Sequence, residues 1–278
     1  MLLTPDLLSP RDLRRISDAV YQHCGINLHE GKQELVQARL TKILRHSEFQ
    51  SLPEYLDHVL AHLDGPDFSD LIDSLSTNLT SFFREAEHFT YLAKGFLPAL
   101  LNRKRPSGQS TIRGWSAACS TGEEAYSIAM ILGDFLSDLG KGLTARILAT
   151  DISHRVLSVA REALYDRHRA SPVPPPLRRF LIPGSQRPHT LEVAPEIRQL
   201  VRFAHLNLID SWPFTGPLDF IFCRNVMIYF DKPTQQRLIA RFYDILGPGG
   251  VLFTGHSESL TGITHRFHYV QPTIYAKS

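Results

Sequence analysis

The chain has 278 residues, of which 43% are hydrophobic and 21% charged, with a formal net charge of +2. That length suits one large domain or two modest ones with a real core, and the composition is that of an ordinary soluble globular protein. So small a net charge gives no general argument for nucleic acid, and any electrostatic recognition must come from local patches. Cys24, Cys119 and Cys223 are scattered, with neither metal-ligand nor redox spacing, which suits reduced thiols in a cytosol. Residues Met1 to Pro10 contain no basic segment followed by an apolar block, so no signal peptide is expected. No apolar run approaches the ~20 residues that cross a bilayer, so the expected protein is cytoplasmic and not inserted in a membrane.

Residues 1–76 read as a small helical bundle. Ser9 and Pro10 form a cap and first-turn pair for a helix with Leu13, Ile16, Val20 and Tyr21 on one face, stopped near Gly25. A second helix from about Lys32 is expected to turn Leu35, Val36, Leu40, Ile43 and Leu44 inward. Its other face carries Lys32, Arg39, Lys42 and Arg45. Pro53 opens a third helix through Tyr55, Leu56, Val59 and Leu63, and Phe68, Leu71, Ile72 and Leu75 begin a fourth. Against the acidic background of this region, the basic face is either a solvated helix surface or a contact surface for an acidic partner.

Residues 77–101 form a junction, in which Asn78, Thr80 and Arg84 stand beside Phe82 and Phe83 before a helical stretch through Phe89, Tyr91 and Leu92. Polar groups interleaved with aromatic ones suit the lining of a ligand cleft. The alternative is a capped helix start with an apolar staple.

Residues 102–278 read as a doubly wound α/β domain. The run from Thr111 to Leu132 is apolar, then small around Gly122, then apolar at helical spacing, which predicts strand, tight turn and helix. This is the ligand-binding corner of such a sheet. Ser120 with Glu123, and Thr121 with Glu124, have capping-box spacing. The same carboxylates would repel a pyrophosphate, and the turn lacks the full G-x-G-x-x-G spacing. A cationic or neutral nucleoside is therefore favoured, and S-adenosyl-L-methionine, with its sulfonium and α-ammonium, fits. Asp151 ends the second strand, where it either accepts ribose hydroxyls or caps the helix from Val156 to Ala163.

From about 166 to 202 the pattern breaks. Ser171-Pro-Val-Pro-Pro-Pro176 is stiff, extended chain, and the runs around Leu191–Val193 and Val201–Phe203 are candidates for a small antiparallel pair. The main sheet then resumes with a strand ending at Asn207 and another ending at Arg224-Asn225, both polar ends falling at the carboxyl edge. Two last strand-like runs, Phe267 to Val270 and Thr273 to Ala276, suit an antiparallel sheet edge.

Five stretches together carry a family likeness: Thr77-Asn-Leu-Thr-Ser-Phe-Phe-Arg-Glu85, Trp115-Ser-Ala-Ala-Cys-Ser-Thr-Gly-Glu-Glu-Ala-Tyr-Ser127, Ala149-Thr-Asp-Ile152, Phe222-Cys-Arg-Asn-Val-Met-Ile-Tyr-Phe-Asp231 and Gly255-His-Ser-Glu258. In that order, behind a helical N-terminal region, they resemble the CheR family of chemotaxis receptor methyltransferases. The resemblance implies a Rossmann-like class I methyltransferase sheet with a small all-helical N-terminal domain and a small inserted β subdomain. It implies methyl transfer from S-adenosyl-L-methionine to glutamate side chains on the cytoplasmic helical region of chemoreceptors, leaving S-adenosyl-L-homocysteine.

By motif, Asn78, Thr80, Arg84, Glu124, Asp151, Asn207, Leu208, Arg224 and Asn225 would hold the cofactor. Arg84 and Tyr229 would lie nearest the reacting methyl, and the basic face with Lys32, Arg39, Lys42 and Arg45 would meet the receptor. The family reading brings no metal, and a monomer is expected. Ala125 stands where family members commonly have proline, and the insert here is rich in proline.

The implied chemistry needs no strong base, because a glutamate side chain, which ordinarily titrates at ~4.3, is already ionised at neutral pH. The enzyme's task is to hold carboxylate and sulfonium in line and exclude water. Two alternatives stay open: the same fold and cofactor with another acceptor, or a non-catalytic signalling module.

Overall fold

The computed structural model describes residues 8–28, 33–104, 111–139, 143–184 and 187–278. The chain divides into two units, one running to Asn78 and taking in Tyr229–Thr234, the other formed by Leu79–Ile228 and Gln235–Ser278.

The first unit holds helices α1 (Pro10–Cys24), α2 (Gln33–Leu44), α3 (Leu52–Ala61) and α4 (Pro66–Leu75). Ser9 caps α1 by accepting the Asp12 N–H at 3.1 Å, and Gly25, at φ 74°, ends it with its own N–H on the Tyr21 carbonyl. Ser51 repeats the device for α3, accepting the Glu54 N–H with proline in the first turn. Leu13, Ile16 and Val20 of α1, Leu56 and Val59 of α3, and Phe68 and Leu71 of α4 are buried. On α2 the buried stripe is Val36 and Leu40, whereas Leu35, expected inward, is 45% exposed. Each residue advances ~100° round a helix, so the i, i+4 pair that packs leaves the preceding leucine at the rim.

The segment from Tyr229 belongs to this unit through its backbone. The Tyr229 carbonyl accepts the Asn27 N–H at 2.8 Å, Phe230 forms a single bridge with Ile26, and Asp231 accepts the Tyr21 hydroxyl at 2.8 Å.

The second unit begins with α5 (Ala86–Tyr91), a π-helical turn (Leu92–Phe96) and α6 (Leu97–Lys104). There follow β1 (Thr111–Ala117), α7 (Glu123–Leu139), β2 (Thr144–Asp151) and α8 (His154–Glu162). A smaller piece contains β3 (Leu164–Asp166), β4 (Leu181–Pro183), β5 (Thr190–Val193) and α9 (Pro195–Arg198). The main fold returns with β6 (Val201–His205), β7 (Leu218–Cys223), α10 (Lys232–Ile245), β8 (Leu246–Thr254), β9 (His268–Gln271) and β10 (Ile274–Ala276).

The seven-stranded sheet has the order β6-β2-β1-β7-β8-β10-β9, parallel from β6 to β8, with β10 antiparallel to both its neighbours. Its parallel strands carry the near-continuous apolar runs that burial on both faces requires, such as Phe220, Ile221 and Phe222 of β7. The order reverses between β1 and β7, which makes their carboxyl ends the switch point at which open α/β sheets bind ligands. The second unit is thus built on a mixed, mainly parallel α/β sheet, and the first is all helical among its described residues.

The inserted piece is a separate three-stranded sheet of order β3-β5-β4. Its pairing corrects one expectation: β5 pairs with Leu164–Asp166 and Leu181–Pro183, while Val201–His205 runs parallel to β2 in the main sheet. Alternation shows that a short run is a strand but not which strand it meets. The proline-rich stretch contributes a 3-10 turn, Pro175–Phe180, whose Leu177 and Phe180 join the main core.

Candidate functional site

The turn after β1 has to reverse direction within a few residues, and Ala118, Ser120 and Gly122 all take positive φ (65°, 49° and 94°). Such angles are costly for side-chain-bearing residues and persist only when the surroundings enforce them. Here they do: the Cys119 N–H bonds the Thr150 carbonyl at 2.9 Å, and the Ser120 N–H bonds Asp151 Oδ2 at 2.8 Å. Gly122 has a second constraint, since a Cβ there would sit 2.9 Å from the Ala160 Cβ on α8. The tight turn also brings the start of α7 against the ends of β1 and β2.

Glu123 and Glu124 open α7 in different settings. Glu123 is fully buried, accepts the Thr121 hydroxyl at 2.7 Å and pairs with Arg169 from the insert. Tyr165, also from the insert, donates its hydroxyl to the Thr121 carbonyl at 2.7 Å. Glu124 instead turns back to the sheet, accepting the Ser116 hydroxyl at 2.7 Å and standing 3.4 Å from Arg224 Nη1. Burial pushes its carboxyl up, and the opposing pull of Arg224 and Ser116 does not cancel it.

Asp151, at the end of β2, is buried and accepts two backbone amides, from Ser120 at 2.8 Å and from Ser153 at 3.0 Å. Ser153 is itself the cap of α8, accepting the Val156 N–H, so Asp151 orients the cap rather than being it. The neighbouring strand end places Asn207 and Leu208 close by: the Leu206 N–H bonds the Asp151 carbonyl at 3.0 Å. Asn207 Oδ1 accepts the Ile209 N–H at 3.3 Å, and the Leu208 carbonyl accepts Arg241 Nη1 at 2.8 Å.

Arg224 ends β7 with a guanidinium that is 1% exposed. It lies 3.1 Å from Glu85 Oε2 and donates to the Arg84 carbonyl, so one cation serves Glu85, Glu124 and the junction backbone. Burial alone would raise the Glu85 carboxyl, but Arg224 and the adjacent histidines hold it below the usual range. Asn225 follows at φ 59° and reaches Glu85 Oε1 with its Nδ2 at 3.4 Å.

The strap that carries Arg84 is contorted on both sides, with Phe83 at φ 52° and Glu85 at φ 60°. Phe83 is pinned through its N–H on Ser127 Oγ at 3.0 Å, and Arg84 Nη1 bonds the Leu79 carbonyl at 2.9 Å. Thr80 is half-buried on the same strap.

The fold thus brings Arg84, Glu124, Asp151, Asn207, Leu208, Arg224 and Asn225 to the carboxyl edge of one sheet or to the strap bonded to it. Asn78 and Tyr229 fall in the helical unit. There the Tyr229 hydroxyl accepts the Thr77 N–H at 3.2 Å. On α2, Lys42 and Arg45 are exposed, whereas Arg39 donates to the carbonyls of Ser74 and Ser76 (3.0 Å for the latter). Lys32 lies outside the described residues.

Sequence reasoning missed Glu85, Glu258, Tyr165 and Arg169 as site-building residues. Glu85 and Glu258 each end one of the five motifs, so a signal existed. Glu258 accepts three backbone amides, Asn225 at 2.6 Å, Gly255 at 2.7 Å and Ile228 at 3.1 Å, and so shapes the turn after β7.

Two family models match this chain. Residues 11–81 match "CheR methyltransferase, all-alpha domain" and residues 78–276 match "CheR methyltransferase, SAM binding domain". A chemotaxis protein methyltransferase of Escherichia coli is 42% identical over 277 residues, covering 98% of this chain and 92% of the relative. Its counterpart in Klebsiella aerogenes is 41% identical over 273 residues, covering 96% and 90%. One from Borreliella burgdorferi is 38% identical over 269 residues, covering 96% and 94%.

Proposed function

We propose, for a chain that belongs to the CheR family of S-adenosyl-L-methionine-dependent methyltransferases, that it methylates glutamate side chains of chemoreceptors to glutamyl methyl esters in sensory adaptation. The observation that carries the reading is the charge balance at the sheet's carboxyl edge. Arg224 faces both Glu85 and Glu124, and Asp151 adds a further buried carboxylate. A buried surplus of negative charge is costly unless a cation joins it. A ligand carrying an ammonium and a sulfonium supplies that charge, so the donor set fits S-adenosyl-L-methionine, and a pyrophosphate would aggravate the imbalance.

When bound, S-adenosyl-L-methionine provides an electrophilic methyl on a positively charged sulfur. The protein's own contribution is placement. Glu124 is assigned to the ammonium and Asp151 to the ribose hydroxyls. Asn207, Leu208, Arg224 and Asn225 are assigned to the nucleoside, with Arg224 also holding Glu124 and Glu85 in position. Asn78, Thr80 and Arg84 complete the cofactor set by motif, and Arg84 and Tyr229 are the groups that orient the acceptor. No general base is required, because the acceptor glutamate is ionised at neutral pH.

The partner is proposed to be the cytoplasmic helical region of a chemoreceptor, met by the exposed cations of α2. Among the described residues no helix is long and apolar enough to cross a membrane, and the protein is proposed to act on that region as a cytoplasmic monomer. The deciding experiment pairs calorimetry of S-adenosyl-L-homocysteine with transfer of labelled methyl to purified receptor cytoplasmic fragments. Saturable binding and base-labile label on glutamate are expected. Binding without label would move the acceptor elsewhere, and absence of binding would leave a non-catalytic signalling module.

A further inference from the structure

Glu85, His88 and His256 each bring one ligand atom to within 4.8 Å of the others. His88 is 1% exposed, and its Nδ1 is a buried atom with no hydrogen-bond partner. It stands 3.5 Å from Glu85 Oε2. His256 approaches that same oxygen from the solvent side, its Nε2 at 3.8 Å, and Glu87 Oε2 lies 3.9 Å from that nitrogen.

The other face of His88 determines what Nδ1 carries. His88 Nε2 is 2.7 Å from Thr273 Oγ1, and the threonine hydroxyl is directed at the Pro272 carbonyl at 2.7 Å. With the hydroxyl proton committed to the carbonyl, Nε2 is the donor and Nδ1 presents its lone pair. The Nδ1 lone pair and the Glu85 carboxylate oxygen therefore face each other 3.5 Å apart without a hydrogen bond, an arrangement that a cation relieves.

We propose that Glu85, His88 and His256, with Glu87 as a fourth arm, form a reversible binding site for a zinc-class divalent ion. Two imidazoles and two carboxylates select zinc, cobalt or nickel over magnesium and calcium, which favour oxygen donors. Metal bonds of ~2.0–2.2 Å in a tetrahedral site put neighbouring ligand atoms roughly 3.4 Å apart. The separations at Glu85 Oε2, 3.5 Å to His88 and 3.8 Å to His256, need close by only tenths of an ångström, the two histidine nitrogens start within 4.8 Å of each other, and the exposed side chains of His256 and Glu87 can supply the movement. The Thr273 contact is the outer-shell hydrogen bond that fixes the tautomer of a ligating histidine. Arg224, 3.1 Å from Glu85 Oε2, competes for that oxygen and makes the site weaker than a closed structural centre. The inference is independent of the acceptor and of methyl transfer.

The test titrates metal-free, full-length protein with zinc chloride against a chromophoric chelator, and with cobalt chloride followed by visible absorption. One ion per chain is expected, with the intense bands of four-coordinate cobalt. His256→Ala, on an exposed side chain, should weaken zinc at least ~10-fold, and Thr273→Val should do so by roughly 10-fold through loss of the outer-shell bond. His58→Ala removes a surface histidine paired with Asp67 in the helical unit and should leave the titration unchanged. No stoichiometric zinc binding, equal binding by His256→Ala, or loss of the ion in His58→Ala would each overturn the proposal.

Discussion

The Glu258 carboxylate accepts the Asn225 N–H at 2.6 Å, and this bond holds the turn that leaves β7 for the rest of the ligand site. Asn225 sits in the left-handed region, and Gly255 lies so close that a Cβ on it would fall 2.6 Å from Glu258 Oε2. Three backbone amides, that of Gly255 fully buried, converge on one side chain. In Glu258→Ala they lose their acceptor, and each unsatisfied donor costs about 1–3 kcal/mol. Urea unfolding should therefore show a loss of at least ~3 kcal/mol, with Glu258→Gln, which keeps one acceptor oxygen, roughly half as damaged. An Ala variant that unfolds at the wild-type urea midpoint would remove Glu258 from the support of the turn.

Asp151 combines two tasks, and a substitution should separate them. Its oxygens hold the Ser120 and Ser153 amides, and the ribose assignment adds a ligand contact to that structural one. Asp151→Asn keeps one acceptor oxygen and turns the other into a donor facing an N–H. S-adenosyl-L-homocysteine should bind roughly 10–100-fold more weakly, the equivalent of losing about 1–3 kcal/mol of buried hydrogen bonding. Turnover at saturating S-adenosyl-L-methionine should change far less. A kcat that collapses while the calorimetric Kd stays put would place the residue in the chemistry instead.

The strand, turn and helix around Gly122 were legible because apolar periodicity changes from strand-like to helical across one glycine, and five motifs in order fixed the family. The partnership of Arg224 was not. A polar residue at a strand's carboxyl end reads as a ligand group, and only the folded chain brings Glu85 and Glu124 to its guanidinium. The same limit applies to Arg169 and Tyr165, which sit in an insert without periodicity yet fasten Thr121 and Glu123. Local pattern reports what a segment is, while long-range partners decide what a polar side chain does. On α2, likewise, one charged face divides into a buttress, Arg39, and exposed cations, Lys42 and Arg45.

Glu124 should make cofactor affinity pH-dependent. Its folded-state carboxyl is raised above the unfolded value, chiefly by burial. The sign follows: the stability tied to its protonation is full below the unfolded pKa and is lost as pH rises through the folded one. A cationic ligand favours the ionised form, so binding should release a proton in that window. S-adenosyl-L-homocysteine affinity should fall as pH drops from 7.5 toward ~4.3, the ordinary glutamate value. Glu124→Gln should bind more weakly at neutral pH, with a flatter profile. Calorimetry in two buffers of different ionisation enthalpy measures the proton release, and identical pH profiles for the two proteins would exclude Glu124 from contact with the ammonium.

The basic face of α2 offers a test in which stability and recognition move separately. Arg39 donates to the carbonyls of Ser74 and Ser76 and to Thr77 Oγ1, tying α2 to the end of α4. Arg39→Glu puts a carboxylate against those carbonyl oxygens and should cost about 1–3 kcal/mol in thermal or urea unfolding. Lys42 and Arg45 are exposed, and reversing them should leave the unfolding midpoint within about 0.5 kcal/mol of wild type. The double variant Lys42→Glu, Arg45→Glu should nevertheless weaken binding to a receptor cytoplasmic fragment, most strongly at low ionic strength, because exposed charges are screened within ~10 Å at 0.1 M salt. Affinity for S-adenosyl-L-homocysteine should be untouched. Surface plasmon resonance across a salt series reads the effect, and a double variant that binds the fragment like wild type at every salt concentration would return Lys42 and Arg45 to plain solvated surface.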